Sequence, residues 1–258
     1  MPTPICCAIP PDPQLIGGMA AVALAGIIRG ASGFGQALIF VPLAGLLYPP
    51  ATAVPLLWVA GATVTPLMLR PHLRSTDWSE VLHLALGAAL TLPFGVWLLG
   101  HASAVFMRWI ISTLVLLCTF ALAAGWRIRL PQRREFGILL GGMSGLTGGA
   151  TGMGGPPLIL CWLGGRADAA TIRSNIFVYL WLLGLMELTV GTVGGLVPRS
   201  VLTGGLALAP AYGSGILVGN WLFRHSVRLS PERRDRMFRW VALGICAASA
   251  CAGLPVWR

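Results

Sequence analysis

The sequence contains no lysine: all 18 of its basic residues are arginines. That absence excludes a Walker A phosphate loop and any lysine Schiff-base cofactor carried by this chain. Acidic residues number only 8, and charged residues of both signs reach 10% of the 258 positions. A soluble domain of this length needs about a quarter of its residues charged to cover its surface. The 6 cysteines show no metal or redox spacing. Cys118, Cys161, Cys246 and Cys251 fall in apolar runs, where small buried side chains are the ordinary reading, while Cys6 and Cys7 stand together near the start. His72, His83, His101 and His225 are scattered without ligand spacing, so neither a metal site nor a cofactor is expected. The first 14 residues hold five prolines and no positive n-region, which argues against an ordinary signal peptide. The alternating pattern of a membrane barrel is also missing.

What fills the chain instead is apolar sequence, 56% hydrophobic with a mean hydropathy of +0.79. Ala53–Leu69, Val81–Gly100, Trp109–Gly125, Ile176–Gly195 and Trp240–Leu254 each approach the roughly 17–25 residues that cross a bilayer as helix. A span in lipid must satisfy its own backbone, so helices are the default. The expected class is an all-α polytopic membrane protein. The net charge of +10 would suit nucleic acid, but the arginines sit between apolar runs, as in the cytoplasmic loops of a membrane protein. The bilayer is therefore the expected partner, and nucleic acid is not.

The sequence repeats itself at a shift of 119 residues. Gly26-Ile-Ile-Arg-Gly-Ala-Ser-Gly-Phe-Gly-Gln36 aligns with Gly145-Leu-Thr-Gly-Gly-Ala-Thr-Gly-Met-Gly-Gly155. Ala51-Thr52 meets Ala170-Thr171 at the same shift. Three glycines in six residues lower helix propensity by about 1 kcal/mol each and permit left-handed backbone. Each copy is expected to be a broken, re-entrant hairpin, residues 15–48 and 137–164. Pro156-Pro157 suits the first turn of a second half-helix.

Arginine placement orients these segments. With both hairpins leaving on the side they entered, one face collects 14 arginines and the other 3, Arg29 lying within the membrane. A single crossing by the second hairpin would separate Arg127–Arg134 from Arg224–Arg239. The positive-inside rule favours the hairpins. The expected layout is an extracytoplasmic tail (1–14), then a first repeat (15–125) with spans 53–69, 79–100 and 107–125. A cytoplasmic linker (126–136) precedes a second repeat (137–258) with spans 174–194, 201–223 and 238–254. Both termini then lie outside the cytoplasm of a cell (inner) membrane. A hairpin plus three spans crosses an odd number of times, so the second repeat is inverted, an architecture of secondary transporters.

At these residues the chain resembles the TauE/SafE sulfite-exporter-like permeases, whose two copies carry a glycine-rich stretch followed by apolar residues and proline. Here the copies are Gly33-Phe-Gly-Gln-Ala-Leu-Ile-Phe-Val-Pro42 and Gly152-Met-Gly-Gly-Pro-Pro-Leu158. The resemblance implies a permease, not an enzyme, moving sulfite, sulfonates such as sulfoacetate, or other organic anions. Gln36, Ala37 and Pro156 replace glycines common in that family, at places where a ligand would sit.

Two glycine-rich tips entering from opposite faces would meet near the midplane, with half-helix N-termini and free N–H groups suited to an anion. The candidate substrate residues are Arg29, Ser32, Gly33, Gly35, Gln36, Thr151, Gly152, Gly154 and Asn175. A plainer reading also stands, in which these small residues only let helices pack closely. Arg29 is the sharpest candidate, because a guanidinium at membrane depth costs at least roughly 2.5–3.5 kcal/mol and can fork onto a sulfonate or carboxylate. It can equally satisfy loose carbonyls at the helix break. Glu187 is the clearest intramembrane acid, a carrier for a coupling proton or a counter-ion to Arg29. Asn175 either lines the path or caps its helix, and Trp58, Tyr179 and Tyr212 read as packing or interfacial residues. Two other functions compete. Gly30-Ala-Ser-Gly33 spells the motif of an intramembrane serine hydrolase with Ser32 as nucleophile and His83 as base. A channel, or a pump subunit with a separate ATPase chain, is the other.

Overall fold

The computed structural model describes residues 13–124, 134–162 and 169–225, together with Gly244. Among these residues every regular element is helical. In chain order they are α1 (Pro13–Ser32), α2 (Gln36–Ala44), α3 (Pro50–Val64), α4 (Pro66–Leu69), α5 (Trp78–His101), α6 (Ala104–Ala123), α7 (Arg134–Thr151), α8 (Gly155–Trp162), α9 (Ala169–Val193) and α10 (Arg199–His225). The span expected over 238–254 lies, Gly244 apart, outside the described residues, as do most of the linker and the tail. Among the described residues five helical segments are long and apolar enough to cross a membrane: Pro13–Ser32, Trp78–His101, Ala104–Ala121, Thr171–Val193 and Arg199–Leu222.

Helix α5 illustrates what the composition demands. Val81, Leu84, Ala88, Leu92, Val96 and Leu99 are buried, while Leu82, Leu86, Leu90, Phe94 and Trp97 form an exposed stripe on the outer side. A helix apolar all round belongs in a membrane or a large core. Asp77 caps the start of α5, accepting the Glu80 N–H at 3.2 Å, the arrangement that opens a capping box.

Side-chain neighbours fix the helix directions. Gly18, Gly26 and Gly30 of α1 meet Leu208, Tyr212 and Ile216 of α10 in turn, so these two run the same way. Gly204, Gly205 and Gly213 of α10 meet Leu56, Val59 and Val64, which puts α3 in the same direction. Leu84, Ala88 and Leu92 of α5 meet Gly141, Gly145 and Gly149 of α7. Helix α9 runs with α5, Asn175 lying at Asp77 and Val96 at Gly194. It opposes α3, since Trp58 meets Gly191 late in α9 while His72, past α4, meets Phe177 early in it. Thus α1, α3 and α10 point one way, and α5, α7 and α9 the other.

The short helices double back. Leu47 and Tyr48, beyond α2, lie against Gly17 and Gly18 at the start of α1. Trp162, ending α8, bonds Glu80 at the start of α5, where Gly137 of α7 meets His83. The two hairpins therefore enter the helix stack from opposite ends.

Close seams hold these hairpins in place. A Cβ at Gly26 or Gly30 would collide with the Tyr212 or Ile216 carbonyl oxygen of α10; at Gly145 or Gly149 it would collide with that of Ala88 or Leu92 of α5. In return Gly219 of α10 abuts the Ile27 carbonyl, and Gly95 of α5 abuts the Leu146 carbonyl. The paired α1 and α7 positions are always 119 apart, and the paired α5 and α10 positions 124 apart. Small residues of this kind are what let helices touch in lipid, where no hydrophobic force drives them together.

The tips overreach one another instead of meeting at one point. Gly33 lies beside Phe177, in the first half of α9, whereas Gly152 lies beside Val54 and Trp58 of α3, and Trp58 meets Gly191 late in α9; the two tips therefore reach different levels of this antiparallel pair. The reason is length, because α1 has 20 residues and α7 has 18, more than half of a roughly 20-residue span.

Candidate functional site

Both tips share one local geometry. The Gly33 N–H donates to the Arg29 carbonyl at 2.7 Å, and the Gly152 N–H to the Gly148 carbonyl at 2.7 Å. Gly33 and Gly152 then turn left-handed, with φ of 86° and 72°, a conformation that glycine adopts without steric cost. This is the single-bond C-cap that ends a helix. Gly35, also left-handed at φ 90°, caps α2 without any side-chain hydrogen bond. The second half-helix offers fewer donors, because Pro156 and Pro157 in its first turn carry no N–H.

A small cavity lies between the hairpins, and its walls include Arg29, Gln36, Trp58, Thr65, Gly152, Gly154, Trp181 and Glu187. Arg29 is 2% exposed. Its Nη1 donates to Gln36 Oε1 and, at 3.0 Å, to the Tyr212 hydroxyl, while its Nη2 has no hydrogen-bond partner among the described residues. The Trp58 and Trp181 indole N–H groups and Glu187 Oε1 are likewise buried without a hydrogen-bond partner. A buried polar group without a partner costs about 1–3 kcal/mol, so four such atoms around one cavity mark it as a place for a polar guest, water or ligand. Three of them donate, and one of these is a cation.

Glu187 reaches the cavity because Gly148 makes room: a Cβ there would lie 2.6 Å from Glu187 Oε1. Gly148 is also the position that aligns with Arg29 in the repeat. The second tip is tied down by a buried relay in which Tyr179 donates to Ser144 Oγ at 2.8 Å and Ser144 donates to the Gly154 carbonyl at 2.6 Å.

Of the residues singled out by sequence, Arg29, Gln36, Gly152, Gly154 and Glu187 line this cavity, whereas Ser32, Gly33, Gly35, Thr151 and Asn175 are not among its lining residues. The hydroxyls of Ser32 and Thr151 bond back to the Ile28 and Thr147 carbonyls of their own helices at 2.7 Å each. No histidine is a hydrogen-bond partner of Ser32 among the described residues, and His83 bonds within α5, to Ser79. Arg29 and Glu187 share the cavity but are not hydrogen-bonded to each other.

Asn175 has a different task. Fully buried, it accepts the Asp77 N–H at 2.8 Å and donates to Glu80 Oε2 at 3.0 Å, while Trp162 donates to Glu80 Oε1 at 2.7 Å. In a capping box the Glu80 carboxylate would take the Asp77 N–H; Asn175 takes it instead and clamps α5 to α9. Nearby, His72 stacks on Phe177 with ring centroids 4.4 Å apart and shares a 3.3 Å hydrogen bond with Ser174 Oγ. Burial, and then the Arg173 guanidinium, hold the His72 imidazole below its usual range.

The sequence alone does not mark Trp181, and it reads Trp58 and Tyr212 as packing or interfacial residues. One signal was present: the shift of 119 pairs Gly61 with Leu180, Ala62 with Trp181 and Thr65 with Gly184, and all six line the cavity. A family model described as sulfite exporter TauE/SafE matches residues 18–252. No curated protein matches the chain, and no solved structure does.

Proposed function

Because the chain belongs to the sulfite exporter TauE/SafE family, we propose that this membrane transporter moves small sulfur-containing anions, sulfite or a sulfonate, by alternating access of two inverted repeats. The observation that carries the reading is the buried Arg29 guanidinium, half of it without a partner, facing a cavity whose other orphan donors are two indole N–H groups. An oxyanion satisfies all three donors and neutralises the cation. Support for inverted repeats comes from the opposed hairpins and from seams that recur at a constant offset. Arg29 and Gln36 bind the anion, Gly152 and Gly154 present backbone from the second tip, and Ser32, Gly33, Gly35 and Thr151 shape the tips. Asn175 holds the α5–α9 clamp beside the path. The arginine-rich face, which includes the His72 side, is the cytoplasm, and both termini lie outside it.

The test is a melting-temperature series on purified protein with sulfite, thiosulfate, sulfonates and carboxylates. A cargo anion present at 100 times its Kd stabilises the state it binds by about 2.7 kcal/mol. If no anion shifts the melting and none is carried by proteoliposomes, the reading fails.

Glu187 carries the coupling proton in this scheme. Among the described residues it is the one acid lining the cavity, and moving charge against an inside-negative potential costs about 2.3 kcal/mol per charge at 100 mV. Glu187→Gln is expected to leave anion-induced stabilisation intact and to abolish the response of flux to an imposed pH gradient. A response equal to that of the parent protein would assign coupling elsewhere. A hydrolase built on Ser32 gains no support, since its hydroxyl is engaged by its own helix.

A further inference from the structure

The cavity is framed by two aromatic residues that the repeat places in equivalent positions. On α3 the residues Trp58, Gly61, Ala62 and Thr65 follow the spacing of one helix face, and all four line the cavity. At a shift of 119 they become Phe177, Leu180, Trp181 and Gly184 on α9. The last three line it too, so Phe177 occupies the next turn of the same face. Because α3 and α9 are antiparallel, Trp58 and Phe177 stand at opposite ends of the cavity.

Their surroundings correspond as well. Phe177 seats its ring edge on Gly33, where an added Cβ would lie 3.3 Å from it, and Trp58 stands over Gly152, where its Nε1 would lie 3.9 Å from an added Cβ. These are the left-handed glycines that end α1 and α7. Each ring also has a backing residue on the far side of its helix pair: His72 stacks on Phe177, and Gly191, again 119 positions on, abuts the six-membered ring of Trp58. Both aromatics are almost fully buried, at 4% and 3% exposure.

Two cations stand beside the Phe177 ring. The guanidinium carbon of Arg29 lies 5.8 Å from the Phe177 ring centroid and that of Arg173 lies 5.9 Å from it. An anion drawn to these two cations meets the ring. An aromatic face attracts cations, so the two guanidiniums help to seat the ring, which blocks the path by volume.

We propose that Phe177 and Trp58 are the two gates of the transport path, Phe177 closing the His72 face and Trp58 the opposite face, each seated on the broken tip of the other repeat. A tip that moves with its hairpin withdraws the glycine seat from one ring while the other stays seated. Opening is therefore sided. The inference rests on the transport reading above, but its test needs no cargo.

The probe is a cysteine at the cavity wall, Ala62→Cys, in a chain whose six native cysteines are replaced by serine. Labelling by a membrane-impermeant methanethiosulfonate is timed in right-side-out and in inside-out vesicles. Adding Phe177→Ala should raise the rate on the order of tenfold or more from the His72 face alone, and Trp58→Ala should do so from the opposite face alone. The ring-retaining variants Phe177→Tyr and Trp58→Phe should label as slowly as the parent. Should an alanine variant fail to reach the membrane, Phe177→Leu or Trp58→Leu should give a smaller increase with the same sidedness. Increases from both faces, from the wrong face or from neither would overturn the proposal. Sided labelling in a protein that carries no anion would reject the transport reading instead and leave the gates standing.

Discussion

Arg29→Ala is expected to abolish anion flux in proteoliposomes while the protein remains folded in the membrane. Truncating one partner of a buried charge pair costs 2–5 kcal/mol or more, and about 3 kcal/mol is already a loss of more than 100-fold in affinity. The fold should tolerate the change. Among the described residues Arg29 has no carboxylate partner and bonds to Gln36 and the Tyr212 hydroxyl, so its removal also relieves the cost of a buried cation. Arg29→Lys should fail almost as completely. The guanidinium spends one nitrogen on Gln36 and Tyr212 and leaves the other for the cavity, a division that a single ammonium cannot reproduce. Initial rates of sulfite or sulfonate flux, read beside melting temperature in the same detergent, separate the two effects. Parent-like flux in Arg29→Ala would remove this residue from the path, whatever the melting curve did.

The same residue illustrates what a sequence alone can disclose. Arg29 and Glu187 stand out because a charge within a long apolar run is costly, and the glycine clusters stand out because three glycines in six residues weaken a helix. Those signals are local, and the helices indeed break between Ser32 and Gln36 and between Thr151 and Gly155. Trp58 and Trp181 were hidden by the same composition that revealed Arg29. In a chain with 10 tryptophans, an indole in an apolar run reads as packing until its N–H is found to lack an acceptor. That is a tertiary fact.

Asn175 is harder still. Its amide satisfies the Asp77 N–H, a donor 98 positions earlier in the chain, and no local pattern announces that a capping box has been completed from another helix. The overlap of the tips depends on helix length against depth, which arginine counting does not address. The shift of 119 was legible from the start, and carried through α3 and α9 it ties Phe177 to Trp58. Its use needed the geometry, because equivalence acquires meaning only when both members face one cavity.

The seams give the largest expected loss of stability. A Cβ at Gly30 would overlap the Ile216 carbonyl oxygen, and one at Gly149 would lie 2.7 Å from that of Leu92. Neither neighbour is a flexible side chain; both are backbone atoms inside a helix, so relief requires α1 to separate from α10, or α7 from α5. Overpacking a tight site costs about 1–3 kcal/mol and sometimes more, and valine, with two further methyl groups, should reach the upper end. Gly30→Val and Gly149→Val are each expected to cost at least about 3 kcal/mol, a fall in melting temperature of roughly 10 °C for a chain of this size. The two losses should be similar, because the seams are equivalent copies. Gly184→Ala is the matched control. It lines the cavity, yet nothing lies within 4 Å of a Cβ placed there, so it should melt like the parent protein while narrowing the space left for the anion. If the seam variants melt within a degree or two of Gly184→Ala, the helices are not held by backbone contact, and the hairpins would lack the rigid frame that alternating access requires.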